Sequence, residues 1–559
     1  LIESVKGMTE AEEREVTYSY TSGVLTSVTD HGGHVTTYGN AAGRPTSVTR
    51  PEGNELFTQI YTGDKVTSQT ERGTDTSTLD YNGAQTTFTD PTGETIVDTY
   101  NAEGRLISHA DEAGKAITMA YDSAGRRTSV TDRLGRTTTT LYHAPSGLPA
   151  AITNAEGRKT LFTYKARTLS GLVFHDLVKI TYPDGASRSF VYDAKGNVTQ
   201  IKDETGKTWK YTYNARGQVL TSINPLGGVT TSQYDANGNL TEVQPPDEGA
   251  TQFTYDPRFR LLEVIHPGGD KIVYAYDTKD RITSVTDERG KVYAFGHDDN
   301  NRTTGLTDPD GEQTAVAFDV LDRVQSITDR LGQTASLTYD SRQLVSSVTD
   351  QNGNMVSFAY DERQRLTAFN DAAGQAWTFQ YDDEDRLIGI SNPVDLPGTL
   401  RRNLMGFATE ASDPLGNTLR VLRDPMQRVT QAFDPLGRQT TRAYDKMGRL
   451  VSVTEQSTGT AKYTRDALGN VTKITDPNGG SWSYAYLKSG RLSKITDPLG
   501  KNWAFTYDNR GRPSLLNLPD GTLCNYSYDE AGNLTGQQFS SNNPNLVYAY
   551  DDLGRLSSA

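Results

Sequence analysis

Cysteine is nearly absent from this chain: Cys524 stands alone among 559 residues. One thiol makes no internal disulfide, which excludes a disulfide-stapled secreted scaffold. Cys524 lies in an alternating apolar segment and reads as a small buried side chain, not a nucleophile. Histidine is scarce too. Of seven, only His31 and His34 are close, and no zinc-ligand spacing accompanies them, so they read as a polar turn. No stretch approaches the ~20 apolar residues of a membrane-spanning helix, and no signal peptide opens the chain. Apolar residues, Tyr included, make up 34%, too few for a thick-cored enzyme of this size. Tyr, Val, Thr and Leu are nevertheless plentiful and evenly spread, which excludes disorder. Basic residues are outnumbered, 56 Lys and Arg against 70 Asp and Glu, so broad nucleic-acid binding is not expected. There is no phosphate-cradling Gly-x-x-x-x-Gly-Lys and no Gly-x-Ser-x-Gly elbow. Acidic residues recur one per turn, which explains them without acid–base catalysis and supplies no converging calcium ligands. The expectation is an all-structural chain with no catalytic, cofactor or metal residues.

What is abundant is Gly (52) and Tyr (30), and both fall in register. Stepping by 21 from Tyr192 meets Tyr213, Tyr234, Tyr255, Tyr276, His297, Phe318, Tyr339, Tyr360, Tyr381, Arg402, Arg423, Tyr444, Arg465, Tyr486, Tyr507 and Tyr528. Only the three arginines lack a ring. Asp follows in 14 of these 17 copies, Gly is the commonest residue three further on, and Arg or Asn comes next. The repeat residues expected to matter are Tyr192, Asp193 and Gly196; Tyr234, Asp235 and Gly238; Tyr444, Asp445 and Gly448; Tyr507, Asp508 and Gly511; Tyr528, Asp529 and Gly532. A second signal, Thr-Asp-x-x-Gly, lies half a period away, as at Asp287/Gly290 and Asp497/Gly500.

Asp first and Gly fourth suit a type I turn, with the Asp side chain bonding its own turn backbone and Gly accepting positive φ. Two turns per 21 residues leave two strand-length segments. Before Tyr-Asp these alternate: Val356, Phe358 and Tyr360 share one face, Ser357 and Ala359 the other. Each repeat therefore predicts one β-hairpin, and the chain an all-β, continuous antiparallel meander of about 26 hairpins. At ~4.8 Å per strand such a ribbon is on the order of 250 Å wide and must curl or wind, leaving a hollow wall rather than a solid core. Residues 1–191 are the irregular segment: Tyr61 and Tyr81 miss the 21-residue step, and about seven residues are inserted near 167–179, read as a longer loop. Residues 192–559 are the regular segment, with a degenerate zone at 392–407 containing Pro393, Pro397 and Gly398. The four Trp (209, 377, 482, 503) fall in strands and read as wall packing.

These residues resemble the YD repeats of Rhs proteins, whose wider kin include insecticidal toxin-complex C subunits, Gram-positive wall-associated toxins and teneurins. The resemblance covers most of the chain and implies hairpins wound into a large hollow cocoon. In bacterial members that shell encloses a variable C-terminal toxin domain. Gram-negative relatives are often type VI secretion effectors used in interbacterial competition, carried with spike proteins and a chaperone and guarded by an immunity protein. The resemblance thus implies an encapsulation shell, made in the bacterial cytoplasm and secreted by a type VI system. Such relatives release the toxin by self-cleavage at a motif resembling Asp-Pro-x-Gly-Leu. Here Asp413, Asp434 and Asp497 begin Asp-Pro-Leu-Gly but are followed by Asn417, Arg438 and Lys501, and they read as turns. The chain opens at Leu1 and stops at Ala559, so the spike-tip domain, the cleavage site and the toxin are expected outside it. The alternative is an extracellular adhesive or carbohydrate-binding YD-repeat surface. An enzyme within these residues would need a non-repeated polar cluster, and none is visible.

Overall fold

The computed structural model describes residues 3–6, 15–71, 75–392, 398–541 and 544–559. Pro393 and Pro397 of the degenerate zone lie outside them. The described residues contain no helix. They form an antiparallel sheet of 52 strands, each paired to its neighbours in sequence, with a further two-stranded pair near the C-terminus.

One repeat shows how the sequence builds the sheet. Strands Ser187–Tyr192 and Val198–Lys202 pair through Tyr192↔Val198, Val191↔Gln200 and Ser189↔Lys202, with a bulge between Val191 and Tyr192. The Asp193 amide bonds the Asn197 carbonyl at 2.9 Å, and the Gly196 amide bonds the Asp193 carbonyl at 3.2 Å. That is a type I turn closed by a left-handed residue, Gly196 at φ 97°. The next turn, Asp203–Lys207, repeats these bonds at 2.8 and 2.9 Å. The ribbon therefore has two rims, one of Tyr-Asp turns and one of Thr-Asp turns. The bulge recurs beside the Tyr-Asp rim, as at Thr212/Tyr213 and Ala443/Tyr444, and one lies beside the other rim at Val48/Thr49; each adds local twist and bends the strand.

Burial follows the expected alternation. In Thr334–Tyr339, Ala335, Leu337 and Tyr339 are half-buried while Thr334, Ser336 and Thr338 are exposed. Apolar rungs cross the sheet on one face: Phe358 opposite Phe369, and Phe369 opposite Trp377 with ring centroids 5.8 Å apart. Among the described residues only Ala151, Ala186 and Cys524 are buried apolar side chains. The accessible surface is 30501 Å², against about 20,000 Å² for a compact monomer of this mass. The excess matches the scarcity of buried side chains.

The inserted residues near 167–179 are not a loop. They lengthen a hairpin, Lys159–Leu169 against Leu172–Thr181, whose ladder runs out to Leu169↔Leu172 around a Ser170-Gly171 turn. The irregular N-terminal spacing also has a structural cause. Ser22-Gly23 and Ala42-Gly43 close two-residue turns with positive φ at both positions. From Tyr61 to its partner Val66 is one residue less than from Tyr192 to Val198, which turns a 21-residue step into the 20 residues between Tyr61 and Tyr81.

The chain divides into two compact units. The first comprises Leu1–Thr137, Tyr274–Thr286 and Val292–Thr399; the second Thr138–Val273, Asp287–Lys291 and Leu400–Ala559.

Candidate functional site

The repeated residues make a belt along the Tyr-Asp rim. Strand Val198–Lys202 pairs with the following strand only through Gln200↔Lys210, Ile201↔Trp209 and Lys202↔Thr208. Nearer the rim the strands separate, leaving the Val198 carbonyl without a ladder partner. The Tyr213 hydroxyl donates to it at 2.6 Å. The same reach of 15 residues recurs for Tyr192 to Leu177 (2.8 Å), Tyr234 to Val219 (3.0 Å), Tyr444 to Val429 (2.8 Å), Tyr507 to Leu492 (2.6 Å) and Tyr528 to Pro513 (2.7 Å). Each Tyr thus rivets its hairpin to the one before. Partial burial raises the phenol pKa of Tyr192, Tyr213, Tyr507 and Tyr528, so they remain donors at neutral pH. Three of the non-tyrosine copies keep a donor: His297 Nε2 lies 2.8 Å from the Ile282 carbonyl, Arg423 Nε donates to Ala408 at 3.0 Å, and an Arg465 terminal nitrogen to Leu450 at 3.2 Å.

Asp supplies the turn's acceptors. Asp193 Oδ1 accepts from the amides of Lys195 and Asn197, both at 2.9 Å, and Oδ2 accepts from Asn197 Nδ2 at 2.8 Å. Asp235 and Asn239 repeat this set, as do Asp529 and Asn533. At Asp445 and Asp508 the fifth residue is Arg, whose Nε meets Oδ2 at 2.7 Å in both. The side-chain amides of Asn197 and Asn239 hold Asp193 and Asp235 below the usual carboxylate range, assisted by the backbone amides.

That Arg also reaches forward. Arg512 NH1 donates to the Asp529 carbonyl at 3.3 Å, and its guanidinium lies 4.5 Å from the Tyr528 ring centroid. Arg428 does the same to Asp445 (3.1 Å) and Tyr444 (5.6 Å). Arg491 lies so close to Gly511 that a Cβ there would overlap its guanidinium. Gly196 is crowded likewise by Arg167. The sequence pattern shows the Arg but not its task, because the task joins turns about 20 residues apart.

Within each unit, Thr-Asp turns of an earlier stretch meet Tyr-Asp turns 240 to 272 residues later. In the first unit Asp111, 3% exposed, pairs with Arg133 (2.6 Å) and Arg363 (3.0 Å). Asp322 pairs with Arg50 and, at 2.5 Å, with Arg302, which also holds Glu52 at 2.6 Å. His34 Nε2 lies 2.6 Å from Asp299, so this histidine serves the contact between turns. In the second unit Asn224 Nδ2 donates to the Lys488 carbonyl at 2.8 Å, Ser489 N to Asp247 at 2.8 Å, and Arg491 and Arg510 pair with Glu248 (2.7 Å) and Asp270 (3.0 Å). These seams consist of side chains and turn backbone groups, with no strand ladder across them among the described residues.

The seams explain a departure in the repeat. Asp280, Asn301, Asp322, Gln343, Gln364, Asp385 and Gln427 occupy the turn-Gly position with φ of 60 to 67°. Four reach across a seam: Asp280 to His31 at 3.9 Å, Asp322 to Arg50, Asp385 to Arg133 at 3.1 Å, and Gln427 to Glu156 at 2.9 Å. A left-handed Asp or Asn is the least costly non-glycine choice, and it adds a polar group glycine lacks.

The remaining sequence candidates sit in the wall. Cys524 is 1% exposed, opposite Leu516. Asp413, Asp434 and Asp497 are ordinary turn acceptors, each bonded by the amides two and four residues on. Trp482 and Trp503 stack at 6.1 Å. Among the described residues there is no group of three or more His, Cys, Asp or Glu able to hold a metal ion, and no helix long and apolar enough to cross a membrane.

A family model described as the teneurin YD-shell matches residues 52–266 and 417–559, and an RHS repeat model matches 276–313, 339–368 and 360–394. No curated protein matches the sequence. Similar solved structures include a TcdB2–TccC3–TEV crystal structure, 13% identical with a TM-score of 0.57 over 96% of this chain. TcdB2–TccC3 without its hypervariable C-terminal region is 12% identical, TM-score 0.54, over 97%. A Tc holotoxin pore from Photorhabdus luminescens is 13% identical, TM-score 0.52, over 97%. The chain spans 38% of the length of each of these structures. At such identity the likeness is one of fold.

Proposed function

Matched over nearly two thirds of its length, the chain belongs to the teneurin YD-shell family, and we propose that it is a wall segment of a shell enclosing a toxin. The observation that carries this reading is the seam in each unit: rim bonded to rim turns a ribbon into a wall without a filled core. The thin burial and large surface agree with containment as a mechanical task. In this reading the cargo is a C-terminal toxin domain of the full protein, held away from the cytoplasm of the bacterium that makes it. Secretion is by a type VI system, with spike, chaperone and immunity contacts made through the full protein. These residues bind no cofactor and catalyse nothing; the repeat Tyr, Asp and Gly serve by keeping the wall closed.

Limited proteolysis of the polypeptide as its source makes it tests the containment. The cargo is expected to resist protease while the wall is folded and to be cut once denaturant opens it. Cleavage of the cargo in the folded protein as fast as in isolated cargo would end this reading.

A further inference from the structure

One stretch of seam in the second unit breaks the charge pattern seen at others. In two seam contacts a lysine in the fifth place of a Thr-Asp turn meets an aspartate in the second place of the opposing Tyr-Asp turn. Lys291 pairs in this way with Asp552 at 2.7 Å, and in the first unit Lys115 pairs with Asp383 at 3.2 Å. Turn Asp203–Lys207 also has lysine in its fifth place, but the turn it faces, Asp445–Arg449, has Lys446 in its second. A cation stands where those contacts place a carboxylate.

Both turns line a cavity of about 760 Å³, together with Lys179, Lys202, Ser187 and Ser189. The strand register sets its floor. Lys179 pairs with Ser189 and Ser189 with Lys202, so two lysines flank a serine on one rung of Leu172–Thr181, Ser187–Tyr192 and Val198–Lys202. At ~4.8 Å per strand their backbones stand about 10 Å apart. Lys446 comes from the opposite rim. All three lysines are exposed, within reach of a ligand.

The carboxylates around the cavity are already engaged. Asp203, 7% exposed, accepts from the amides of Thr205 and Lys207 at 2.9 Å and from the Thr205 hydroxyl at 2.8 Å. Glu204 meets Arg188 at 3.2 Å, and Asp445 meets Arg449 at 2.7 Å. Among the described residues no carboxylate lies within 4.0 Å of the amines of Lys179, Lys202, Lys207 or Lys446. Like charges gathered without a counter-charge repel, and an anion among them relieves the repulsion. Cations on separate strands and on the opposite rim suit several charged groups on one molecule, and the two serines add hydroxyl donors between them. The cavity has the volume usual for small-molecule sites.

We propose that this cavity binds a small polyanion, a compound bearing two or more phosphate or sulfate groups. The chain carries a net charge of -14 and repels such a compound at range, so binding comes from the local cluster and weakens with salt. The site goes beyond the shell reading and does not rest on it.

Isothermal titration calorimetry of the protein with inositol hexakisphosphate and with sucrose octasulfate tests this, and the two probes separate a phosphorylated from a sulfated ligand. Saturable binding of at least one probe, one molecule per chain, is expected. Lys202→Gln and Lys446→Gln should each weaken it at least about tenfold. Lys446→Asp, which recreates the charge arrangement at Asp552, should abolish binding yet melt no lower than the unaltered protein, so that lost binding is not lost folding. Lys210→Gln is the control: Lys210 is exposed on the next strand, outside the cavity, and its loss should leave binding unchanged. No saturable binding of either probe at millimolar concentration overturns the proposal. So does an equal loss in Lys210→Gln and Lys446→Gln, which would make the attraction a diffuse property of the surface. Protection of the cargo from protease is read separately, so either result stands without the other.

Discussion

Tyr213 gives up one well-made hydrogen bond, to the Val198 carbonyl at 2.6 Å, if it becomes Phe. The ring stays, so Tyr213→Phe should cost about 0.5–1.5 kcal/mol, felt as faster amide exchange in the two hairpins it joins. Phe318 is the natural counterpart, a ring without a donor under the Arg302 guanidinium at 4.6 Å. Phe318→Tyr should therefore slow exchange around Thr303, 15 residues back; no change there would refute the riveting role. The turn glycines separate two effects. Gly437→Ala meets no atom and carries only the left-handed penalty, about 1–2 kcal/mol. Gly511→Ala adds displacement of Arg491 from its place over Tyr507, so it should destabilise more, by thermal melting of the paired variants. The turn carboxylates set the acid limit. Asp193, Asp235, Asp413 and Asp434 have folded pKa values below their ordinary value. Their contribution is complete above the unfolded pKa, near 3.9, and is lost as pH falls through the depressed folded values. Melting temperature should thus hold down to about pH 4 and fall below it; a fall already complete at pH 5 would assign acid sensitivity to other groups. The Tyr-Asp-x-x-Gly pattern was legible because its bonds lie within five residues. The roles of Arg423 and Arg465 as donors were not, since they depend on a carbonyl 15 residues away in sequence that only the splayed ladder exposes.

The hairpin explains both where the sequence reading held and where it slipped. Alternation in segments such as Thr334–Tyr339 marked the half-buried face because a strand's side chains change sides at every residue. The insertion near 167–179 misled because Leu169-Ser170-Gly171-Leu172 lacks the Asn-Gly or Asp-Gly signature of a two-residue turn. Ser170 nevertheless sits at φ 50° and Gly171 at 79°, the backbone of a type I′ turn. A residue better suited to that conformation should strengthen the tip: Ser170→Asn is expected to gain a few tenths of a kcal/mol, and Ser170→Val to lose about 1 kcal/mol. Exchange of the Arg167 and Phe174 amides, which lie in the outer ladder, reports both variants. If the two variants left that exchange alike, the tip would not be held by its turn.

Joining distant turns is the task that local pattern could not reveal. The partners 240 to 272 residues apart are fixed by how much each hairpin bends, a sum over many small bulges that no single repeat displays. One trace was nevertheless present: Gly disappears from the turn position at 280, 301, 322, 343, 364 and 385 in succession, where three of the side chains gained or their neighbours meet the opposite rim. Asp111 shows what such a seam risks. It is almost wholly shielded from solvent and faces two arginines, Arg133 from its own rim and Arg363 from the other. Asp111→Ala leaves both cations beside each other with no carboxylate, and losing one partner of a buried ion pair costs about 3–5 kcal/mol. That loss falls on the seam and not on the ladders, because each hairpin is held by its own neighbours. The expected result is an unchanged β-sheet signal by far-UV circular dichroism, with new protease cuts confined to the turns near 111–136 and 361–386. Asp111→Asn keeps an acceptor and the side-chain volume, and should be cut less. Cooperative loss of the sheet signal in Asp111→Ala would mean that the seams, and not the hairpins, are what holds this fold together.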